Sequence, residues 1–157
     1  MIEHLEIGRA GTADRATVLD LVERLLAELE EHPGEFAGLD RARVLSDLEA
    51  TGDRFAAFLA REEGKPVGVL TLTEHFAIYA GGRYGVIDEL YVAPGRRSAG
   101  VGRRLVAAAA AFGRERGWPR IDVTAPPGAA WERSVRFYET HGFVFTGPKL
   151  RLDLPGV

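Results

Sequence analysis

A chain of 157 residues, 46% hydrophobic and 27% charged, has the composition of a soluble globular protein and is long enough to bury a core as one domain over residues 1–157. A net charge of −3 argues against general nucleic-acid affinity, and the absence of cysteine excludes disulfides, thiolate metal sites and a cysteine nucleophile. No apolar run is long enough to span a membrane and no signal-peptide core precedes the first strand, so no membrane partner is expected and the expected location is cytoplasmic.

In chain order, residues 4–9 alternate as a first strand, with Leu5 and Ile7 on one face. Thr12 is the expected N-cap of a helix with Asp14 in its first turn, and Val18, Leu21, Val22, Leu25, Leu26 and Leu29 recur on one apolar face. His32-Pro33-Gly34 ends that helix, and Asp40 caps a second one carrying Val44, Leu45 and Leu48. From Arg54 the period becomes strand-like. Residues 55–60 and 67–73 read as an antiparallel pair about a turn at 62–65, with strand character continuing through His75, Phe76 and Ile78. After a turn at 80–83, residues 84–92 form the next strand, and a helix follows Gly100 with Leu105, Val106, Ala109 and Phe112 inward. Gly117 ends it, with Arg114 and Arg116 suited to its C-terminal dipole. A short strand at 121–124, a Pro126-Pro127 loop and a helix at 130–140 come next, and Trp131, Val135 and Tyr138 share one face of that helix. Residues 143–145 and 150–154 read as a closing pair of strands around Gly147-Pro148. This order predicts a mixed, mainly antiparallel sheet with helices on its faces.

The stretch from Ile87 to Leu105 reads as strand, then a glycine-and-arginine turn, then a helix beginning at the turn. Free backbone N–H groups and a partial positive charge of roughly half a unit at a helix start suit a phosphate. Gly100 and Gly102 have no side chain to keep a pyrophosphate away from those groups. The alternative is a solvated turn. A P-loop reading fails because no Lys-Ser/Thr pair follows the glycines, and a dinucleotide fold fails because no GxGxxG follows a first strand.

Two segments together resemble the GNAT superfamily of acyl-CoA N-acyltransferases: Leu90-Tyr91-Val92-Ala93-Pro94 with Arg97-Ser98-Ala99-Gly100-Val101-Gly102, and Arg136-Phe137-Tyr138-Glu139-Thr140-His141-Gly142-Phe143. The first is similar to the family's strand and Arg/Gln-x-x-Gly-x-Gly/Ala loop, the second to its phenylalanine-tyrosine helix. The resemblance covers nearly the whole chain. It implies an α/β (α+β mixed) fold, with a central twisted sheet of about seven strands flanked by about four helices. It also implies acetyl-CoA as co-substrate, no metal, and acetyl transfer to an amine in a ternary complex.

By that resemblance, the amides of Arg97, Ser98, Ala99, Gly100, Val101 and Gly102 hold the CoA pyrophosphate, and Arg103 and Arg104 at the helix start are candidate phosphate contacts or solvated arginines. The main chain around Leu90, Tyr91 and Val92 pairs with pantetheine, in a slot where this strand splays from the one at 121–124. Tyr138 is the expected group at the leaving thiolate, and Glu89 is the first candidate for the base that takes the amine proton. Asp88 has opposite parity on a regular strand and so would face away; Asp122, Glu74 and His75 are weaker candidates. Ser98 and Trp131 depart from the family pattern, where glycine and asparagine are common, and Trp131 is a candidate wall of the acceptor pocket or a packing residue. Phe76, Ile78, Tyr79 and Tyr84 are a second candidate acceptor wall, or hairpin packing. The expected partner is a small-molecule amine or a protein or peptide amine, with Glu74 and Glu89 favouring cations such as polyamines, aminoglycosides or a protein amino terminus. A homodimer is expected from the family. The alternative function is a non-catalytic acyl-CoA-binding module, which would bind CoA without releasing thiol to any amine.

Overall fold

The computed structural model describes residues 4–30, 32, 38–126, 128–147 and 149–156. The Pro33-Gly34 stop signal, Pro127 and Pro148 lie outside the described residues. The chain divides into two compact units, residues 1–123 and 124–157.

The first unit holds strands β1 (Leu5–Arg9), β2 (Phe55–Glu62), β3 (Lys65–Ala77), β4 (Gly82–Val92) and β5 (Ile121–Val123), with helices α1 (Arg15–Leu29), α2 (Arg41–Thr51) and α3 (Val101–Glu115). The strands lie in sequence order in one sheet, antiparallel except for the parallel pair β4–β5. Alternation sorts β2 and β3 onto two faces. Ala57, Leu59 and Val69, with Tyr91 of β4, pack against Val18, Leu21 and Val22 of α1. Thr12 lies in a single-turn helix ahead of α1 rather than at its cap, and the turn is held by Asp14, which accepts the Gly11 N–H at 2.9 Å. Asp40 does cap α2, accepting the Arg43 N–H at 3.1 Å.

The opposite face carries α3. Gly68 of β3 lets the helix start close to the sheet, because a Cβ there would stand 3.1 Å from both Val101 and the Tyr91 carbonyl. At its other end α3 closes with a left-handed Gly117 in a Schellman motif: Trp118 N–H bonds Gly113 O at 2.9 Å and Gly117 N–H bonds Arg114 O at 3.1 Å. The motif turns Trp118 back into a slot between Gly113 and Gly85, where its Nε1 donates to the buried Glu74 carboxylate at 2.6 Å.

The second unit contains helix α4 (Trp131–Thr140). It also ends in a Schellman motif, with Gly142 left-handed, Phe143 N–H on Tyr138 O at 3.0 Å and Gly142 N–H on Glu139 O at 3.1 Å. The Phe143 ring meets the Tyr138 ring at 5.3 Å, so the glycine-phenylalanine pair is a helix stop and its hydrophobic clasp. The two closing strands expected at 143–145 and 150–154 are absent among the described residues, so the sheet has five strands rather than about seven. Alternation marks a side-chain pattern, whereas a strand also needs a ladder partner. Val144, Leu150 and Leu152 are instead exposed.

Candidate active site

The β3–β4 register pairs Thr71 with Glu89 but Leu72 with Ile87, so Asp88 is unopposed and forms a β-bulge. The bulge overturns the parity expected of a regular strand. Asp88 Oδ2 accepts from Thr73 Oγ1 at 2.6 Å, while the Glu89 carboxylate accepts from Thr71 Oγ1. Thr71 and Thr73 share a face of β3, so both acids come to one side of the sheet. The Glu89 amide leaves the backbone ladder and donates to Thr71 Oγ1 at 3.1 Å. Burial pushes the Glu89 carboxyl above the ordinary range, the Asp88 charge adds to this, and the Thr71 hydrogen bond opposes it.

Glu89 and Thr71 line a cavity of about 580 Å³ between the sheet and helices α1 and α2. Leu19, Val22 and Leu26 of α1 and Val44 and Leu48 of α2 make its walls apolar. Thr71 is 2% exposed, a hydroxyl in an otherwise apolar stretch of β3. Sequence reasoning missed its role; the available signal was a pair of alternating threonines opposite Asp88-Glu89. The cavity itself had no local signature, because its walls come from helices and strands far apart in the chain.

The outer edge of β4 lies beside this site. β5 pairs with β4 at Gly85↔Ile121, Val86↔Asp122 and Ile87↔Val123 and goes no further, and among the described residues no strand pairs with that edge from Asp88 to Val92. The Ala93 N–H bonds Val67 O at 2.9 Å, and the register then runs in steps of two. Tyr91 therefore faces Val69 in a bonded position, and the main-chain groups of Leu90 and Val92 turn to the unpaired edge. One of them is occupied, since Arg97 Nε donates to the Val92 carbonyl at 2.9 Å.

The loop after β4 leads through Arg97, Ser98 and Ala99 to Gly100, which is left-handed at φ +82 and caps α3. The first ladder bond of α3 runs from Arg104 N–H to Gly100 O at 3.1 Å, so the amides of Val101, Gly102 and Arg103 lie ahead of the ladder. Ser98 is itself left-handed at φ +70. The loop's arginine side chains are mostly engaged elsewhere: Arg96 pairs with Glu62 at 2.5 Å, Arg97 with Glu28 at 2.5 Å, and Arg104 donates to Leu5 O at 2.8 Å. Arg103 is exposed with no ion pair among the described residues. Free amides, a left-handed glycine and one uncommitted arginine fit a pyrophosphate.

The other candidate acids have structural partners. Glu74, 7% exposed, holds Trp118 Nε1 and pairs with Arg116 at 3.4 Å, and Asp122 pairs with Arg120 at 3.0 Å. His75 packs on the Tyr84 ring, and Phe76, Ile78 and Tyr79 stand exposed at the hairpin tip rather than in the cavity that holds Glu89.

Glu89, Leu90, Tyr91, Val92 and the loop to Arg103 thus belong to the first unit, and Tyr138 to the second. Tyr138 is half-buried on α4, and burial pushes its phenol up to about 12. Trp131, the first residue of the same helix, is 43% exposed and is not a core residue.

Residues 19–143 match the model of the acetyltransferase (GNAT) family. The chain is 29% identical over 131 residues to a glucosamine 6-phosphate N-acetyltransferase of Trypanosoma brucei brucei, covering 83% of this chain and 85% of that protein. Its fold is similar to an aminoglycoside acetyltransferase from an uncultured soil metagenomic sample, with a TM-score of 0.77, 21% identity and 98% of each chain covered. A predicted acetyltransferase of Clostridium acetobutylicum, solved with acetyl-CoA, has a TM-score of 0.77 at 18% identity, over 95% of this chain and 96% of that chain. At such identities the solved structures speak to the fold alone. Among the described residues, no helix is long and apolar enough to cross a membrane, and no three His, Asp or Glu side chains cluster as metal ligands would. The family match spans most of the sequence, and the chain belongs to the acetyltransferase (GNAT) family of acetyl-CoA-dependent N-acyltransferases.

Proposed function

We propose that this protein moves an acetyl group from acetyl-CoA to a primary amine by direct attack in a ternary complex, with the amine held in the cavity under α1 and α2. The observation that carries the reading is the place of Glu89, a carboxylate on the cavity floor beside the unpaired edge of β4. An alkyl ammonium with a pKa of about 10.4 is neutral in only roughly one molecule per few thousand at pH 7, so attack needs a group to collect the proton. Glu89 serves as that base, directly or through a water. Its raised pKa brings it closer to neutral pH, where a general base works best.

The remaining roles follow the same reading. Acetyl-CoA supplies the acetyl group as a thioester. The amides from Arg97 to Gly102 hold the pyrophosphate, with Arg103 the arginine free to add charge. The Leu90 and Val92 main chain pairs with pantetheine, and an N–H on that edge receives the thioester carbonyl. Tyr138 steadies the departing sulfur by donating a hydrogen bond. The family match runs continuously across both units, which supports one N-acetyltransferase domain over 1–157, and a cytoplasmic location suits its substrates.

The test is thiol release from acetyl-CoA across a panel of amines, with wild type and Glu89→Gln. Turnover that collapses in the variant while CoA binding persists supports the reading. Tight CoA binding with no thiol release on any amine would instead make the protein an acyl-CoA-binding module.

A further inference from the structure

We propose that the acceptor is an amphiphilic monoamine, with its amino group at Glu89, an apolar skeleton along the α1 and α2 walls, and an anionic group at Arg15. The inference rests on the acetyl-transfer reading and names the substrate class of the same cavity.

The first argument is the charge of the lining. Among the described residues that line the cavity, Glu89 is the one acidic side chain. A polyamine or aminoglycoside brings several ammonium groups, and each beyond the first would meet leucine and valine. An ammonium taken from water without a partner is strongly disfavoured. The polar lining is equally sparse: Thr71 is committed to Glu89 on both its donor and acceptor sides, which leaves few groups for the hydroxyls of a sugar.

The second argument is Arg15. It opens α1, lines the cavity and is half-buried, yet its guanidinium has no ion pair among the described residues. Other arginines nearby are matched. Arg41 bridges Asp20 at 2.6 Å and Glu23 at 2.9 Å, Arg61 holds Asp14 at 2.8 Å, and Arg9 lies over the Phe112 ring of α3. An uncommitted cation at an apolar cavity repels a second ammonium group and attracts a carboxylate.

The third argument is spacing. Ala10 N–H bonds Ala57 O, Ala57 stands opposite Thr71, and Thr71 stands opposite Glu89. The chain leading into α1 and the base are thus three strand spacings apart, about 14 Å, before the side chains reach inward. The carboxylate of an α-amino acid sits too near its amine to engage both ends, whereas an ω-amino acid with an alkyl chain between them can.

The experiment compares ε-aminocaproate, hexylamine, hexamethylenediamine and kanamycin as acceptors with acetyl-CoA, and measures ε-aminocaproate binding by calorimetry in the presence of CoA. We expect kcat/KM for ε-aminocaproate to exceed that for hexamethylenediamine and kanamycin by about tenfold or more, the scale of one charge-assisted contact. Arg15→Glu should reverse the ratio between ε-aminocaproate and hexamethylenediamine and abolish ε-aminocaproate binding. Because the readout is a ratio, a general loss of activity does not mimic it, and circular dichroism with a melting curve verifies that the variant is folded. Faster turnover of kanamycin or the diamine by wild type, or a ratio unmoved in Arg15→Glu, overturns the inference. Absence of thiol release with every amine overturns the acetyl-transfer reading instead. Calorimetry then still decides the class of ligand the cavity takes, and failure of ε-aminocaproate to bind overturns it.

Discussion

Thr71 Oγ1 touches Glu89 twice, donating to its carboxylate and accepting its main-chain N–H at 3.1 Å. The bulge at Asp88 makes this possible, because it takes the Glu89 amide out of the ladder and gives it to a side chain. One hydroxyl therefore sets both the backbone and the rotamer of the proposed base. Thr71→Val keeps the shape but removes the donor and the acceptor. Loss of the donor should raise the Glu89 pKa further, moving the acidic limb of the kcat/KM profile to higher pH. The stranded amide should cost about 1–3 kcal/mol in chemical denaturation.

Glu89→Gln tests the electrostatic side of the same arrangement. Burial raises the Glu89 pKa in the folded state, so folding favours the neutral carboxyl. The associated stability is fully present below the unfolded pKa and is lost as pH rises through the folded one. A glutamine is neutral throughout. We expect the variant to melt higher than wild type at pH 8 and equally at pH 4, with roughly 2–4 °C of Tm for each kcal/mol recovered. Turnover should fall by about 10²–10⁴-fold. Equal melting at both pH values would mean that the carboxylate carries no burial cost.

The sequence exposed the architecture unevenly, for physical reasons. α1, the β2–β3 hairpin and α3 were legible because each declares itself by period and by a stop residue such as Gly117, whose left-handed turn ends α3. The two closing strands were misread because Leu150, Leu152 and Leu154 alternate as a strand does, yet pairing depends on a neighbour that alternation does not report. Asp88 was misplaced for a related reason. Parity assumes a regular strand, and a bulge is set by the partner's register. The candidate loop and Tyr138 were visible through motifs, whereas Thr71 and Arg15 acquire meaning only when β3, β4 and α1 come together around the cavity.

Ser98 and Gly100 offer a paired test of the loop. Both are left-handed, at φ +70 and +82, but only the glycine adopts that conformation without a Cβ penalty. Ser98→Gly should stabilise the fold by about 1 kcal/mol and leave CoA affinity at least equal. Gly100→Val should do the reverse. A β-branched residue there would distort the start of α3, and CoA binding measured by calorimetry should weaken by tenfold or more. A variant at Gly100 that binds CoA normally would remove the α3 start from the pyrophosphate site.

Tyr138 yields a prediction that separates two kinds of help at the leaving group. Its phenol is pushed up to about 12 by burial, whereas a free thiol titrates at about 8.5. Full proton transfer from the phenol to a thiolate would then be uphill by about 5 kcal/mol, so the hydroxyl serves better as a donor that keeps its proton. Two measurements follow. Ultraviolet difference titration of wild type against Tyr138→Phe should show no ionisation of Tyr138 below about pH 11, and activity should not fall near pH 10, as it would with an ordinary tyrosine. Tyr138→Phe should lower kcat by about 10–10²-fold, the loss of one hydrogen bond to a developing charge, with CoA affinity little changed. A phenolate signal near pH 10, or full activity in the phenylalanine variant, would take Tyr138 out of the chemistry and leave the backbone edge of β4 to carry the transition state.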